Sequence, residues 1–148
     1  MTTEITIIEA LADDVRASSK FDSDDVTIGD WGVLDGSNLA APYVVFRPAD
    51  DFRILYRVKT PEQSWSILLD LFEAFIDFDE SMVEFIDSRR ALIAAVAAGT
   101  GTTGLSLREI RANTNVDPVY PMNNDPEFIA NAIPTFLTQE IVIECEVF

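Results

Sequence analysis

Residues 134–148 read PTFLTQEIVIECEVF and contain the most regular pattern in the chain. From Phe136 onward the side chains alternate between two sets, as they do along a strand whose two faces meet different environments. One set is Gln139, Ile141, Ile143, Cys145 and Val147, and the other is Thr138, Glu140, Val142, Glu144 and Glu146. Because the first set is mostly apolar and the second mostly polar, the segment predicts a strand with one face toward a hydrophobic core.

Further strands are predicted upstream of this one. They begin near Val26 and extend over residues 42–48, 52–59, 64–75 and 105–112. The 42–48 run is bounded by prolines, and the 52–59 run alternates apolar side chains with mostly basic ones. The sequence PADD between these two runs is typical of a hairpin turn. The residues at 64–75 are also compatible with a helix, but Pro61 precedes them and a helix start follows, so we predict a strand.

Two segments have the three- and four-residue spacing of amphipathic helices. The first extends over residues 3–16. The second begins at Asp79 or Ser81, either of which can cap free N–H groups, and ends at Gly99. Its predicted apolar face is Met82, Phe85, Ile86, Leu92, Ile93 and Val96. Together the elements predict one α+β domain, 1–148, with an antiparallel sheet of about four to six strands and two main helices packed on one face.

The composition limits the function classes. Ten Lys and Arg against 26 Asp and Glu give a net charge of −16, which disfavours binding to nucleic-acid phosphates and to anionic membranes. A single cysteine excludes an internal disulfide, and the lack of histidine disfavours zinc sites and Cys–His dyads. The N-terminus is acidic where a signal peptide is basic, and the apolar run at 91–98 is shorter than the ~20 residues of a membrane span. We therefore expect that the protein is made in the cytoplasm and does not associate with membranes.

Residues 99–104, GTGTTG, contain the glycine pattern of dinucleotide-binding turns. That pattern works where the glycines follow a strand and open a helix, because the phosphates then meet the helix N-terminus. Here the glycines follow a predicted helix and precede a predicted strand. Leu105 also stands where a phosphate-binding loop requires lysine. We therefore interpret the segment as a helix stop and connector, and we predict no cofactor.

Acidic residues raise two alternatives to a purely structural role. The loop DSDD at 22–25 resembles the start of a calcium loop, but Val26 and Thr27 stand where a ligand and a glycine belong. We favour solvated loops here and at DGSN, 35–38, and predict no metal, with a small cation- or metabolite-binding module as the alternative function. Carboxylate catalysis by Glu140, Glu144 and Glu146 lacks a second group nearby, so we predict an exposed or edge face and no enzyme, with a carboxylate-only hydrolase as the alternative.

The basic residues are concentrated in one region. Arg47, Arg53, Arg57 and Lys59 are four of the ten, and all lie on the predicted hairpin. In so acidic a protein, this hairpin suits a contact with an acidic patch on another copy, of the head-to-tail kind that closes rings. The alternative is the polar outer face of a strand.

The order of these pieces resembles that of the tail terminator proteins of long-tailed bacteriophages. The resemblance extends over most of the chain. The corresponding segments are ITIIEALADDV, YVVFRPADD, SWSILLDLF, MVEFIDSRRALIAAV, the glycine-rich turn and PTFLTQEIVIECEVF. These are patterns of order and spacing, and none of them is a catalytic signature.

The resemblance implies a small α+β subunit that forms a homo-oligomeric ring, usually of six copies. Such a ring caps the tail tube, joins it to the neck or head connector, and lets DNA pass through its lumen without specific binding. Its place is the virion, after synthesis in the host cytoplasm. The glutamates Glu140, Glu144 and Glu146 are then candidates for an acidic lumen wall. Separately from the resemblance, residues 113–134 are long for a loop and contain several prolines and asparagines, so we expect them to contact another subunit or a partner. Another neck or head–tail connector protein is the alternative.

Overall fold

The computed structural model of the chain describes residues 4–21, 23–29, 42–48, 53–56, 61–99, 105–120 and 133–147. Two helices and seven strands lie within these ranges, and a short 3-10 turn, Ser23–Asp25, precedes the first strand. The helices are α1 (Glu4–Arg16) and α2 (Phe78–Gly99). The strands are β1 (Val26–Ile28), β2 (Tyr43–Pro48), β3 (Arg53–Tyr56), β4 (Pro61–Ala74), β5 (Leu105–Ala112), β6 (Asp117–Val119) and β7 (Phe136–Val147). The predicted α+β class is confirmed.

The strands form one sheet in the order β1-β2-β4-β7-β5, with β3 also paired to β4 and β6 to β7. The strands β4 and β7 pair antiparallel from Gln63 opposite Val147 to Ala74 opposite Phe136, and they form the centre of the sheet. Every pair is antiparallel except β1 with β2, so the sheet is mixed rather than wholly antiparallel. Residues 29–42 supply the dozen or so residues that a parallel connection needs.

The predicted hairpin of residues 42–59 is wrong. Both β2 and β3 pair with β4 rather than with each other: β2 pairs with residues 67–72 and β3 with residues 61–64. The strand β4 has 14 residues, so it is long enough to accept the two shorter strands one after the other. The antiparallel neighbours in this region are therefore β3 and β4. Arg47 lies opposite Leu68 and Arg53 opposite Ser64, so both arginines lie along the same edge of β4, four residues apart.

The sheet has two faces with different partners. Both helices pack on one face, where Val44, Phe46, Leu69, Ile141 and Ile143 join helical side chains in the main hydrophobic core. The predicted placement of two helices on one face is thus confirmed. The opposite face carries a smaller buried cluster of Tyr43, Val45, Phe72 and Phe136, which we call the helix-free face. Neither helix is long and apolar enough to cross a membrane, as far as the described residues extend.

Helix α2 begins at Phe78, just before the predicted start at Asp79 or Ser81, and Asp77 is its N-cap. The Asp77 carboxylate accepts a hydrogen bond from the Glu80 N–H at 2.8 Å, which is the geometry of an N-cap. The predicted caps Asp79 and Ser81 lie inside the helix, and the Ser81 hydroxyl instead accepts a hydrogen bond from the Ile76 N–H. The buried stripe of α2 is Ser81, Phe85, Ser88, Leu92, Val96 and Gly99. Ile93, predicted to belong to this stripe, is 37% exposed.

Gly99 ends α2 as predicted, but its role is close packing rather than a left-handed turn. Among the described glycines only Gly29 has a positive φ. A Cβ at position 99 would clash with the Asp14 carboxylate, so only glycine lets α1 and α2 approach this closely. The same Oδ2 atom is buried and has no hydrogen-bond partner among the described residues. Burial, together with the neighbouring Asp13, raises the pKa of Asp14.

A buried carboxyl also lies between the sheet and α2. Glu73 of β4 is 7% exposed, and its Oε2 accepts a hydrogen bond from the Ser88 hydroxyl at 2.7 Å. Burial raises the pKa of Glu73, and the Ser88 hydrogen bond opposes that rise only in part. Lys20 lowers the pKa from a distance and Glu84 raises it. The ionised form of Glu73 is therefore less favourable in the folded protein than in the unfolded chain.

We predict that Glu73→Gln gains stability over the natural chain as the pH rises. Below the unfolded-state pKa, about 4.3, Glu73 is protonated in both states and its contribution is fully present. As the pH rises through the higher folded-state pKa, that contribution is lost, whereas glutamine never ionises. Urea unfolding of both proteins between about pH 4 and pH 8 measures the difference. Glu9→Gln, at an exposed position of α1, is the matched control, and a Glu73→Gln difference independent of pH would contradict the assignment.

Candidate functional site

The helix-free face carries a cluster of charges across its three central strands. Asp70 of β4 and Glu140 of β7 lie directly opposite each other in the strand register. Like charges in that position repel across a sheet. Arg47 of β2 resolves the conflict, because its guanidinium contacts both carboxylates. We call Arg47, Asp70 and Glu140 the charge triad.

The contacts of the triad are short and directional. Arg47 Nε donates to Asp70 Oδ2 at 2.6 Å, and Arg47 Nη2 donates to Asp70 Oδ1 at 3.1 Å and to Glu140 Oε2 at 2.7 Å. The two bonds to Asp70 form the bidentate arrangement that the planar guanidinium favours. The Asp70 side chain is only 4% exposed, against 30% for Arg47. The hydrogen bond with Asp70 is the main reason that the pKa of Arg47 is raised above its ordinary value, so the charged form of the guanidinium is favoured.

Glu140 is also held from the side of β5. Its Oε1 accepts a hydrogen bond from the Asn113 amide at 2.5 Å, and its backbone N–H donates to the Thr114 hydroxyl at 3.0 Å. The Asn113 N–H donates to the Glu140 carbonyl at 2.9 Å. Asn113 and Thr114, directly after β5, therefore hold both the side chain and the backbone of Glu140 in place.

A second group repeats the pattern on the next strand pair. Glu109 of β5 lies directly opposite Glu144 of β7. Arg111 contacts both, at 2.7 Å to Glu144 and 3.5 Å to Glu109. A register shift between Leu107 and Glu109 puts Glu109 and Arg111 on this face. Arg111 is 40% exposed, so this second group is more hydrated than the charge triad.

The glutamates predicted as an exposed or edge face are therefore placed differently. The strand β7 is internal to the sheet, between β4 and β5, so the edge alternative is wrong. Glu140 and Glu144 are partly buried and each is paired with an arginine. For Glu146 the backbone lies opposite Ser64 and Ser106, and its side chain is outside the described residues. The lumen role of this face stays a prediction.

The predicted basic group is only partly within the described residues. Arg47 belongs to the charge triad, where it meets acids of its own chain rather than those of another copy. The backbone of Arg53, in β3, lies opposite Ser64 of β4, but the Arg53 side chain is outside the described residues. Arg57 and Lys59 lie wholly outside them. Sequence reasoning missed Asp70, although a lone aspartate within the apolar run SILLDLF is itself a signal of a buried partner.

These groups are cross-strand ion pairs that join neighbouring strands of one chain. The single Arg47 guanidinium contacts both carboxylates of the triad, so each of them accepts a charge-assisted hydrogen bond within its own chain. Cys145 is buried, and burial raises the pKa of its thiol to about 12, far from the thiolate that a nucleophile needs. Within the described ranges, no group of three or more His, Cys, Asp or Glu side chains is placed to hold a metal ion. The DGSN loop and Asp22 lie outside those ranges.

The glycine segment keeps the order expected of a connector. Helix α2 ends at Gly99 and β5 begins at Leu105, so the glycines follow a helix and precede a strand, as predicted. The Asp14 carboxylate against Gly99 adds negative charge to the carbonyl end of α2. A phosphate at this end of the helix would meet repulsion from both. Residues 100–104 lie outside the described residues.

A second surface feature lies at the start of α2. A groove of about 560 Å³ is lined by Ile76, Asp79, Glu80, Val83 and Glu84, and we call it the acidic groove. Its apolar members are well exposed, at 70% for Ile76 and 60% for Val83. Phe78, next to it, is 56% exposed and packs edge-to-face on Phe75. Apolar side chains ringed by acids are typical of a contact surface.

Comparison with known proteins adds no family. No protein-family model matches the chain, and no curated protein is significantly similar to it in sequence.

We predict that Arg47→Leu lowers the free energy of unfolding by about 3 kcal/mol, because it removes the bidentate guanidinium from the buried Asp70 carboxylate, which lies opposite Glu140. Replacing Asp70 as well, in Arg47→Leu/Asp70→Leu, should recover most of the loss. Arg111→Leu is the matched control and should cost about 1 kcal/mol or less, because its ion pairs are more exposed. Urea unfolding measures all three. Equal losses for Arg47→Leu and Arg111→Leu would contradict the role given to the triad.

Proposed function

We propose that the protein is a structural component of a bacteriophage virion, a tail terminator that forms a ring, of six copies as the resemblance implies. The ring caps the tail tube and joins it to the neck or head connector, and DNA passes through its lumen. The protein acts without catalysis and without a cofactor. It is made in the host cytoplasm and functions within the particle.

One observation carries this proposal. Two of the segments that carry the resemblance, SWSILLDLF and PTFLTQEIVIECEVF, correspond to the two central strands β4 and β7. The other matching segments form α1, β2 and α2 around them in the same order. The corresponding pieces thus make up the framework of the fold.

The charge distribution supports the same role. A net charge of −16 suits a ring through which DNA slides, because negative walls repel the phosphates instead of holding them. The charge triad and its neighbour fix the sheet by internal ion pairs, so a subunit of this kind keeps a rigid shape in a mechanical joint. Exposed apolar side chains at the acidic groove give it a surface for association.

Electron microscopy of tail tubes tests the proposal. Purified protein is added to polymerised tail tubes, and its mass in solution is followed by light scattering. We expect closed rings at one end of the tubes and arrested tube growth. Binding to head connectors alone, with bare tube ends, would assign the protein to the neck instead. A monomer that binds neither structure would overturn the proposal.

The small binding-module alternative is tested by calorimetric titration with calcium and magnesium. A solvated acidic loop gives no saturable heat, whereas a built site gives a saturable binding curve. Saturable binding by a monomer that ignores tail tubes would favour the alternative.

A further inference from the structure

The acidic groove has an exposed apolar floor that the described part of the chain leaves uncovered. Ile76 and Val83 form that floor, and both are more than half exposed. Large apolar side chains at such exposure gain free energy when another surface covers them. The groove is therefore suited to receive apolar side chains from a partner.

The rim of the groove specifies the charge of that partner. Asp79, Glu80 and Glu84 surround the floor, and Glu84 forms an ion pair with Lys20 at 3.7 Å. An acidic occupant would be repelled, whereas a basic one gains attraction and a preferred orientation. The occupant must combine apolar and basic side chains.

One segment of the chain itself has this composition. Residues 53–59 read RILYRVK, in which three of seven residues are basic, none is acidic, and the rest are apolar. In a chain with a net charge of −16, two copies repel each other unless such a segment meets an acidic surface. The complementarity of RILYRVK and the acidic groove removes that repulsion where the copies touch.

The topology separates these two features within one copy. The strand β3 pairs with the first residues of β4, and the acidic groove begins directly after the last residue of β4. At about 3.3 Å per residue, the stretch of β4 from Ser64 to Ala74 extends for about 33 Å. The strand β3, which is the described part of the segment, and the groove thus lie toward opposite ends of the central strand, where they suit contact between copies. A contact between different surfaces of identical copies is head-to-tail, and such contacts close rings.

We propose that the acidic groove binds the RILYRVK segment, residues 53–59, of the neighbouring copy. This rests on the proposed function, since it supplies the contact that closes the ring. The apolar side chains of the segment cover Ile76 and Val83, and its basic side chains pair with Glu80 and Glu84. Each copy then offers one groove and one segment.

Two charge-reversed variants test the contact. The groove variant is Glu80→Lys/Glu84→Lys, and the segment variant is Arg57→Glu/Lys59→Glu. Each alone brings like charges together at every contact, so each should fail to form rings on tail tubes. An equal mixture should form rings again, because alternating copies pair basic segments with acidic grooves and acidic segments with basic grooves. Six copies permit such alternation.

Three controls make the experiment decisive. Glu9→Lys/Asp13→Lys makes the same change in net charge as the groove variant, at exposed positions of α1 outside the groove lining, and should assemble normally. Val83→Ser removes part of the apolar floor without changing charge and should weaken assembly. Thermal unfolding verifies that every variant is folded. Assembly of either charge-reversed variant alone, or failure of the folded mixture, would overturn the groove contact while natural rings on tubes leave the proposed function standing. A natural protein that never reaches tube ends would overturn both.

Discussion

Asp70 and Glu140 lie directly opposite each other on the two central strands, and the Arg47 guanidinium is the group that makes this arrangement stable. Without it, two carboxylates would face each other on a largely buried surface, where repulsion and lost hydration both oppose folding. The register of β4 against β7 is thereby tied to β2 as well. Because β3, β5 and β6 pair with one or other central strand, the whole sheet depends on that register.

The second group, in which Arg111 contacts Glu109 and Glu144, shows the same solution to the same problem. In this chain, which has many more acidic than basic residues, two of the few arginines lie where carboxylates face each other across strands. Consequently Arg47 and Arg111 stabilise the interior of the sheet. The RILYRVK segment, 53–59, stands out against this background, because three basic residues occur there without an acid between them. That contrast is the physical basis for proposing that the segment serves another copy.

Much of the fold could be predicted from periodicity. The strand at 136–147 and the helix that ends at Gly99 were recognisable because their patterns are long and regular. The pairing of β2 and β3 with β4 could not be predicted in the same way. Neighbouring strands with a turn-like sequence between them usually form a hairpin, and only the 14-residue length of β4 points to the other arrangement. The parallel pairing of β1 is likewise a property of the chain path rather than of local sequence.

The candidate site was predictable only in part. Arg47 and Glu140 were identified from the sequence, but their mutual contact joins residues far apart in the chain and depends on strand order. Asp70 was missed because its strand was recognised from the apolar residues around it, which say nothing about a charged partner on another strand. The role of Gly99 was also different from that expected, because the proximity of Asp14 follows from how α1 and α2 pack and not from either local sequence.

Carbodiimide cross-linking tests the central claim, that copies associate head-to-tail through the acidic groove. The reagent joins a lysine amine directly to a carboxylate, and rings assembled from a mixture of light and heavy isotope-labelled copies reveal which links cross between copies. Lys20 and Glu84, 3.7 Å apart in one copy, supply an internal control that must carry a single label. We predict links from Lys59 to Glu80 or Glu84 in which light and heavy peptides are joined. Assembled rings that yield the Lys20 control but no mixed-label link from Lys59 would contradict the account.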